Sequence, residues 1–98
     1  MRSGLMTPKA IDFNKVEALR QHMLLTTGQM AQLMGVSRMT YYNWLKGKPT
    51  NKANGDAARQ VIRNLIAVMN THQWPTEDVA KLNAKKRHEQ LLALLAER

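Results

Sequence analysis

Residues 26–48 read TTGQMAQLMGVSRMTYYNWLKGK, and two short amphipathic helices on either side of a glycine account for the whole run. Thr26 with Gln29 three residues later fits a capping box, in which each side chain satisfies a backbone donor that the start of a helix leaves unpaired. Met30, Leu33 and Met34 supply the apolar face of this helix. Gly35 ends it at a turn that needs positive φ, where a Cβ is costly. Ser37 then caps a second helix running to about Lys46, with Tyr41, Trp44 and Leu45 on its apolar side and Gly47 as its stop. Ala31 sits where the two helices cross closest, so a larger side chain there would push them apart. Met30, Leu33, Met34, Val36, Tyr41 and Trp44 form the apolar set that holds the pair at a fixed angle, which is the requirement of a helix-turn-helix.

From Leu25 to Lys48 the chain resembles the helix-turn-helix of the lambda-repressor-like (Cro/C1, XRE) family. The resemblance rests on the Leu25-Thr26 opening, Ala31, Gly35-Val36-Ser37-Arg38 at the turn and the closing Gly47-Lys48, without a gap and over about a quarter of the chain. It implies a helical bundle and a DNA-binding transcriptional regulator, of the small stand-alone kind common on phages and plasmids. Two departures stand out. The family usually has Ile or Val where this chain has Tyr41, and often an acidic residue and Asn where it has Leu45 and Lys46. A phenol in a half-buried position needs an outlet for its hydroxyl.

Outward from this segment the pattern stays helical. Phe13, Val16, Leu19 and Met23 recur at three- and four-residue steps and predict a first helix over about 13–24, capped by Asp12 or Asn14. Gly47 to Gly55 reads as a basic loop. Ala58, Val61, Ile62, Leu65, Ile66 and Met69 predict one buried face of a helix over about 56–71. Thr76 caps a last helix, with Glu77 and Asp78 in its first turn and Lys85, Lys86 and Arg87 further on, a polarity that the helix dipole favours. Its pattern allows either an unbroken run to about 97 or a break near Asn83. With no strand pattern, the expectation is an all-α compact bundle of about five helices. Residues 1–9 are read as a disordered or vector-derived tail, 10–73 as the helix-turn-helix domain and 74–98 as a helical dimerisation segment.

Composition narrows the partners. The 98 residues carry 15 Lys and Arg against 7 Asp and Glu, a net charge of +8, with a sequence pI near 10.3. Such a balance points to nucleic acid or an anionic membrane surface. Residues 27–63 hold six basic side chains against Asp56 alone, leaving +5 around the helix-turn-helix. That clustering favours duplex DNA over a membrane, since no amphipathic helix carries the charge along one face. At 44% hydrophobic residues the chain can fold. Without cysteine it has no disulfide, thiolate metal site or Cys nucleophile. It has no apolar run of membrane-spanning length and no signal-peptide core, so a cytoplasmic protein is expected. His22, His72 and His88 lack ligand spacing, and neither a nucleophile with its base nor a phosphate-cradling loop is visible, so no metal, cofactor or catalysis is expected. The short length leaves little room for a small-molecule effector domain.

In a helix-turn-helix the start and outward face of the second helix enter the major groove. By position the base-reading candidates are Ser37, Arg38, Met39, Tyr42 and Asn43. Arg38 suits guanine O6 and N7, and Asn43 suits adenine N6 and N7. Met39 suits a thymine methyl or, equally, a place in the core. Thr26, Thr27 and Gln29 at the start of the preceding helix, and Lys46, Lys48 and Lys52 beyond the recognition helix, are phosphate-binding candidates. Ala80, Ala84, His88, Leu91 and Leu95 form one stripe of the last helix, widened by Leu92 and Leu94, while Val79 and Leu82 lie off it. Ala84, His88, Leu91, Leu92 and Leu95 are therefore the candidate dimer interface, because a free leucine-rich end would be an exposed apolar patch. The leading expectation is a homodimeric, sequence-specific repressor of double-stranded DNA whose recognition helix spans about 37–46. The alternatives are an architectural or recruiting DNA-binding subunit, such as an excision factor or small packaging subunit, and a helical protein-binding adaptor.

Overall fold

Helices begin where a side chain takes up backbone donors that the first turn cannot pair. In the computed structural model, which describes residues 11–97, α1 (Phe13–His22) starts on Asp12, whose carboxylate accepts from the Asn14 N–H at 3.0 Å. Thr26 caps α2 (Thr27–Leu33) and Ser37 caps α3 (Arg38–Leu45), each accepting from the N–H three residues on. Asn51, Thr76 and Asn83 do the same for α4 (Lys52–His72), α5 (Glu77–Ala80) and α6 (Ala84–Ala96). The tail assigned to residues 1–9 lies outside the described residues. Among those described there is no strand, and the architecture is an all-α bundle of six helices.

The sixth helix arises because the last helical pattern is interrupted. Lys81, Leu82 and Asn83 separate α5 from α6; the Leu82 carbonyl accepts from Arg87 Nη1, and Asn83 Oδ1 accepts from the Lys86 N–H at 2.9 Å. Ala80 therefore does not continue the stripe of Ala84, His88 and Leu91, as an unbroken helix would require. It is exposed, while Val79 is buried. The helix before it also starts earlier than its apolar spacing suggests. Asn51 Oδ1 accepts from the Asn54 N–H at 2.8 Å, which draws Lys52 to Gly55 into α4 and shortens the basic loop.

The first three helices end alike. After α2, the Gly35 N–H donates to Gln32 O and the Val36 N–H to Ala31 O; after α3, Gly47 and Lys48 repeat the pattern on Trp44 O and Asn43 O. These are Schellman motifs, whose turning residue must be left-handed, and Gly35 (φ 76°) and Gly47 (φ 97°) occupy that position. The same motif closes α1, with Leu24 N–H on Gln21 O and Leu25 N–H on Arg20 O, but the left-handed residue is Leu24 (φ 61°).

The core draws on every helix. Val16, Met23, Leu25, Met30, Ala31, Met34, Tyr41, Trp44, Ala58, Leu65, Val68, Trp74, Val79 and Leu91 form one buried cluster. α2 packs on α3, α3 on α1 and α6 on α4. The α4 face is not quite the one its spacing suggests. Val68 is buried, whereas Ile66 is exposed at the edge of an apolar groove of about 420 Å³ that it lines with Leu19, Ile62 and Met69. The C-terminal part joins the same core. The Trp74 indole N–H donates to the Met23 carbonyl at 3.0 Å, and Leu91 is fully buried.

Candidate nucleic-acid interface

α3 turns two faces in opposite directions. Tyr41 and Trp44 point into the core, and Trp44 stacks at a tilt on Phe13 with ring centroids 5.3 Å apart. Ser37, Arg38, Met39 and Tyr42 are exposed, and Asn43 is half-buried. Met39, for which a core place was an open option, is 68% exposed.

The phenol of Tyr41 has its outlet in α1. Its hydroxyl donates to Glu17 Oε1 at 3.0 Å, and the same carboxylate accepts from Arg20 Nε at 2.8 Å. Arg20 Nη1 in turn donates to the Leu25 carbonyl at 2.7 Å, just ahead of α2. The bond from Arg20 holds the Glu17 carboxyl below its ordinary range, against the opposing effect of burial, with Tyr41 adding to the lowering. Burial, reinforced by the bond to Glu17, pushes the Tyr41 phenol up. One charged, part-buried group thus ties α1 to α3 and to the entry of α2. Neither Glu17 nor Arg20 was among the sequence candidates. Their i, i+3 spacing on α1, combined with a tyrosine at an aliphatic position of α3, was the available signal.

A second tyrosine fixes the other flank. The Tyr42 hydroxyl and Thr27 Oγ1 lie 3.0 Å apart and share a hydrogen bond, so the outward ring of α3 is held to the first turn of α2. Ser37 Oγ is engaged locally with the Thr40 N–H and Oγ1, at 3.1 and 3.0 Å. Arg38 crosses the start of α2, where a Cβ added at Gly28 would meet its Cδ at 3.9 Å, ordinary contact distance. Thr26 and Gln29 complete the capping box, with both reciprocal bonds at 3.0 Å. The six residues Thr27, Ser37, Arg38, Met39, Tyr42 and Asn43 therefore belong to one surface built on the α2–α3 pair.

The basic candidates follow in the connection to α4. Lys46 and Lys48 are exposed. Lys52 donates to Asp56 Oδ2 at 2.9 Å, and this bond holds the Asp56 carboxyl below its ordinary range. The pair is open to solvent, where screening keeps it weak and the lysine can exchange one anion for another. No acidic residue occurs between Glu17 and Asp56, so α2, α3 and the following loop together hold basic side chains and no acidic side chain of their own.

The dimer candidates on α6 separate. Leu91 is fully buried against the chain's own core and cannot serve a second chain, because α6 turns it onto α4. Leu92 is exposed, and Ala84, His88 and Leu95 are half-buried, with His88 Nδ1 buried and without a hydrogen-bond partner. Among the described residues, no group of three His, Asp or Glu side chains could hold a metal ion, and no helix is long and apolar enough to cross a membrane. No family model, curated protein or solved structure matches the chain.

Proposed function

We propose that the chain is a sequence-specific, double-stranded DNA-binding regulator, a small repressor in which α2 and α3 act as a helix-turn-helix. The observation that carries this reading is the outward face of α3. Arg38, Met39, Tyr42 and Asn43 are presented together on a helix braced from both sides by Tyr41 and Tyr42, within a segment, residues 18–55, that holds no acidic residue. A helix so braced meets DNA without first having to be ordered, which spares part of the cost of binding. Arg38 and Asn43 offer bidentate donors and acceptors to base edges. Lys46, Lys48 and Lys52 neutralise phosphates, which makes binding steeply salt-dependent.

The regulator acts as a homodimer that covers an inverted repeat and excludes polymerase, its two α3 helices about one DNA turn, ~34 Å, apart. Exposed Leu92, with Leu95 beside it in a groove completed by Leu33 and Val61, supports pairing through α6. Truncation after His72 would strip Trp74, Val79 and Leu91 from the core, so the dimer is tested by sedimentation of Leu92→Glu. Selection of bound sequences from random duplex DNA tests the function. An inverted repeat with half-sites about 10 base pairs apart is expected, and a pool with no enriched sequence contradicts DNA specificity.

A further inference from the structure

Met39 is the most exposed large hydrophobic side chain among the described residues. It lies outside the core, which Met30 and Met34 of the same helix pair join as buried residues. Its neighbours on the outward face divide into two kinds. The hydroxyls of Ser37 and Tyr42 are already paired within the chain, whereas the side chains of Arg38 and Asn43 make no hydrogen bond among the described residues.

Met39 is the second residue of α3, and Cα–Cβ bonds in a helix tilt toward its N-terminus. The side chain therefore leans toward the end of α3 that enters a major groove in the reading above. A thioether has no proton to donate and accepts hydrogen bonds weakly, and its unbranched stem adapts to the shape it meets. The apolar feature on the floor of the major groove is the C5-methyl group of a pyrimidine. The positive charge around Met39, with no acidic residue from Ala18 to Gly55, is complementary to a polyanion.

We infer that Met39 forms the subsite for a pyrimidine C5-methyl group, flanked by Arg38 and Asn43 reading neighbouring base pairs; this rests on the proposed major-groove binding. Thymine and 5-methylcytosine both present that methyl. The test uses the full chain and the duplex enriched by selection. Each thymine is replaced in turn by deoxyuridine, which removes the methyl and leaves every hydrogen-bonding group, and each cytosine is replaced in turn by 5-methylcytosine.

At one position per half-site the wild-type chain is expected to lose about three- to fivefold in affinity on losing a thymine methyl, or to gain as much from a cytosine methyl. A loss assigns the subsite to thymine and a gain to 5-methylcytosine. Met39→Ala is expected to bind the methylated and unmethylated duplexes at that position equally. Because Met39 is exposed, the variant should keep its helical circular dichroism, which is checked in parallel. A wild-type chain indifferent to every substitution, or a Met39→Ala variant that keeps the sensitivity, overturns the inference while leaving DNA binding intact. Failure to enrich any sequence overturns the DNA reading and this inference with it.

Discussion

Residues 26–48 and residues 74–97 are both pairs of short capped helices, yet they are held in place by different means. In the first pair the boundaries and the helix–helix packing are set nearby: Thr26 and Gln29 start α2, Gly35 turns the chain, Ser37 starts α3, and α2 packs on α3 directly. One bond, from Tyr41 to Glu17 of α1, reaches outside the pair. In the second pair Thr76 and Asn83 set where the helices begin, but distant partners set how they lie. The Trp74 indole reaches the Met23 carbonyl 51 residues away, and α6 rests on α4 through Leu91. Capping fixes where a helix starts, whereas the face it buries is chosen by whatever packs against it. The first segment consequently turns Arg38, Met39 and Tyr42 outward, whereas the second puts Trp74, Val79 and Leu91 into the core and leaves Leu92 exposed.

The contrast predicts unequal costs of substitution. Trp74→Ala should lose ~3–5 kcal/mol of folding stability and Leu91→Ala ~2–5 kcal/mol, read from urea unfolding midpoints. Leu92→Ala, one residue along, should stay within about 0.5 kcal/mol in a dilute monomer. Equal costs at Leu91 and Leu92 would remove the distinction between a core-facing and an outward side of α6. In the local pair, Gly35→Ala should cost ~1–2 kcal/mol by placing a Cβ at left-handed φ.

The brace of α3 has a pH signature. Glu17 has a folded-state pKa below its ordinary value of 4.5, so its contribution is present above about pH 4.5 and lost as pH falls further. Tyr41 has a folded-state pKa above its ordinary value of 10.0, so its contribution is present below pH 10.0 and lost as pH rises beyond it. Tyr41→Phe should cost about 1 kcal/mol near neutral pH and flatten the alkaline limb of the melting-temperature profile. An unchanged alkaline limb would show that the phenol does not carry it. At the junction between the two regions, exposed Gln73 adopts φ 53°. Gln73→Gly should relieve that strain and gain roughly 0.5 kcal/mol net of added chain entropy.

The same contrast explains what could be read from the sequence. The caps at Thr26, Ser37 and Thr76 and the turns at Gly35 and Gly47 are local chemistry, and each was legible. Trp44 was legible as a core anchor from its helical spacing. Asn51 as a cap was hidden in a stretch rich in Gly, Pro and Asn, where loop composition obscured a helix start. Leu91 looked like part of a dimer-facing stripe because helical spacing shows which residues share a face but not what that face meets. Ala84, His88, Leu91 and Leu95 all lie within α6, and packing on α4 takes Leu91 into the chain's own core. The outward placement of Ser37, Arg38 and Tyr42 was legible from helical spacing, whereas Glu17 and Arg20 were not among the candidates. The bonds that assemble the candidate site, Tyr41 to Glu17 and Tyr42 to Thr27, span 24 and 15 residues and carry no short-range pattern.

The central claim, that α3 reads base pairs while the loop after it holds phosphates, is tested most directly by comparing Arg38→Ala with Lys48→Ala on the selected duplex and on a scrambled one across a salt series. Arg38→Ala should lose ~1–3 kcal/mol of discrimination between the two duplexes. Lys48→Ala should weaken both duplexes alike and reduce the salt slope by about 1. Equal weakening of both duplexes by Arg38→Ala would contradict the account.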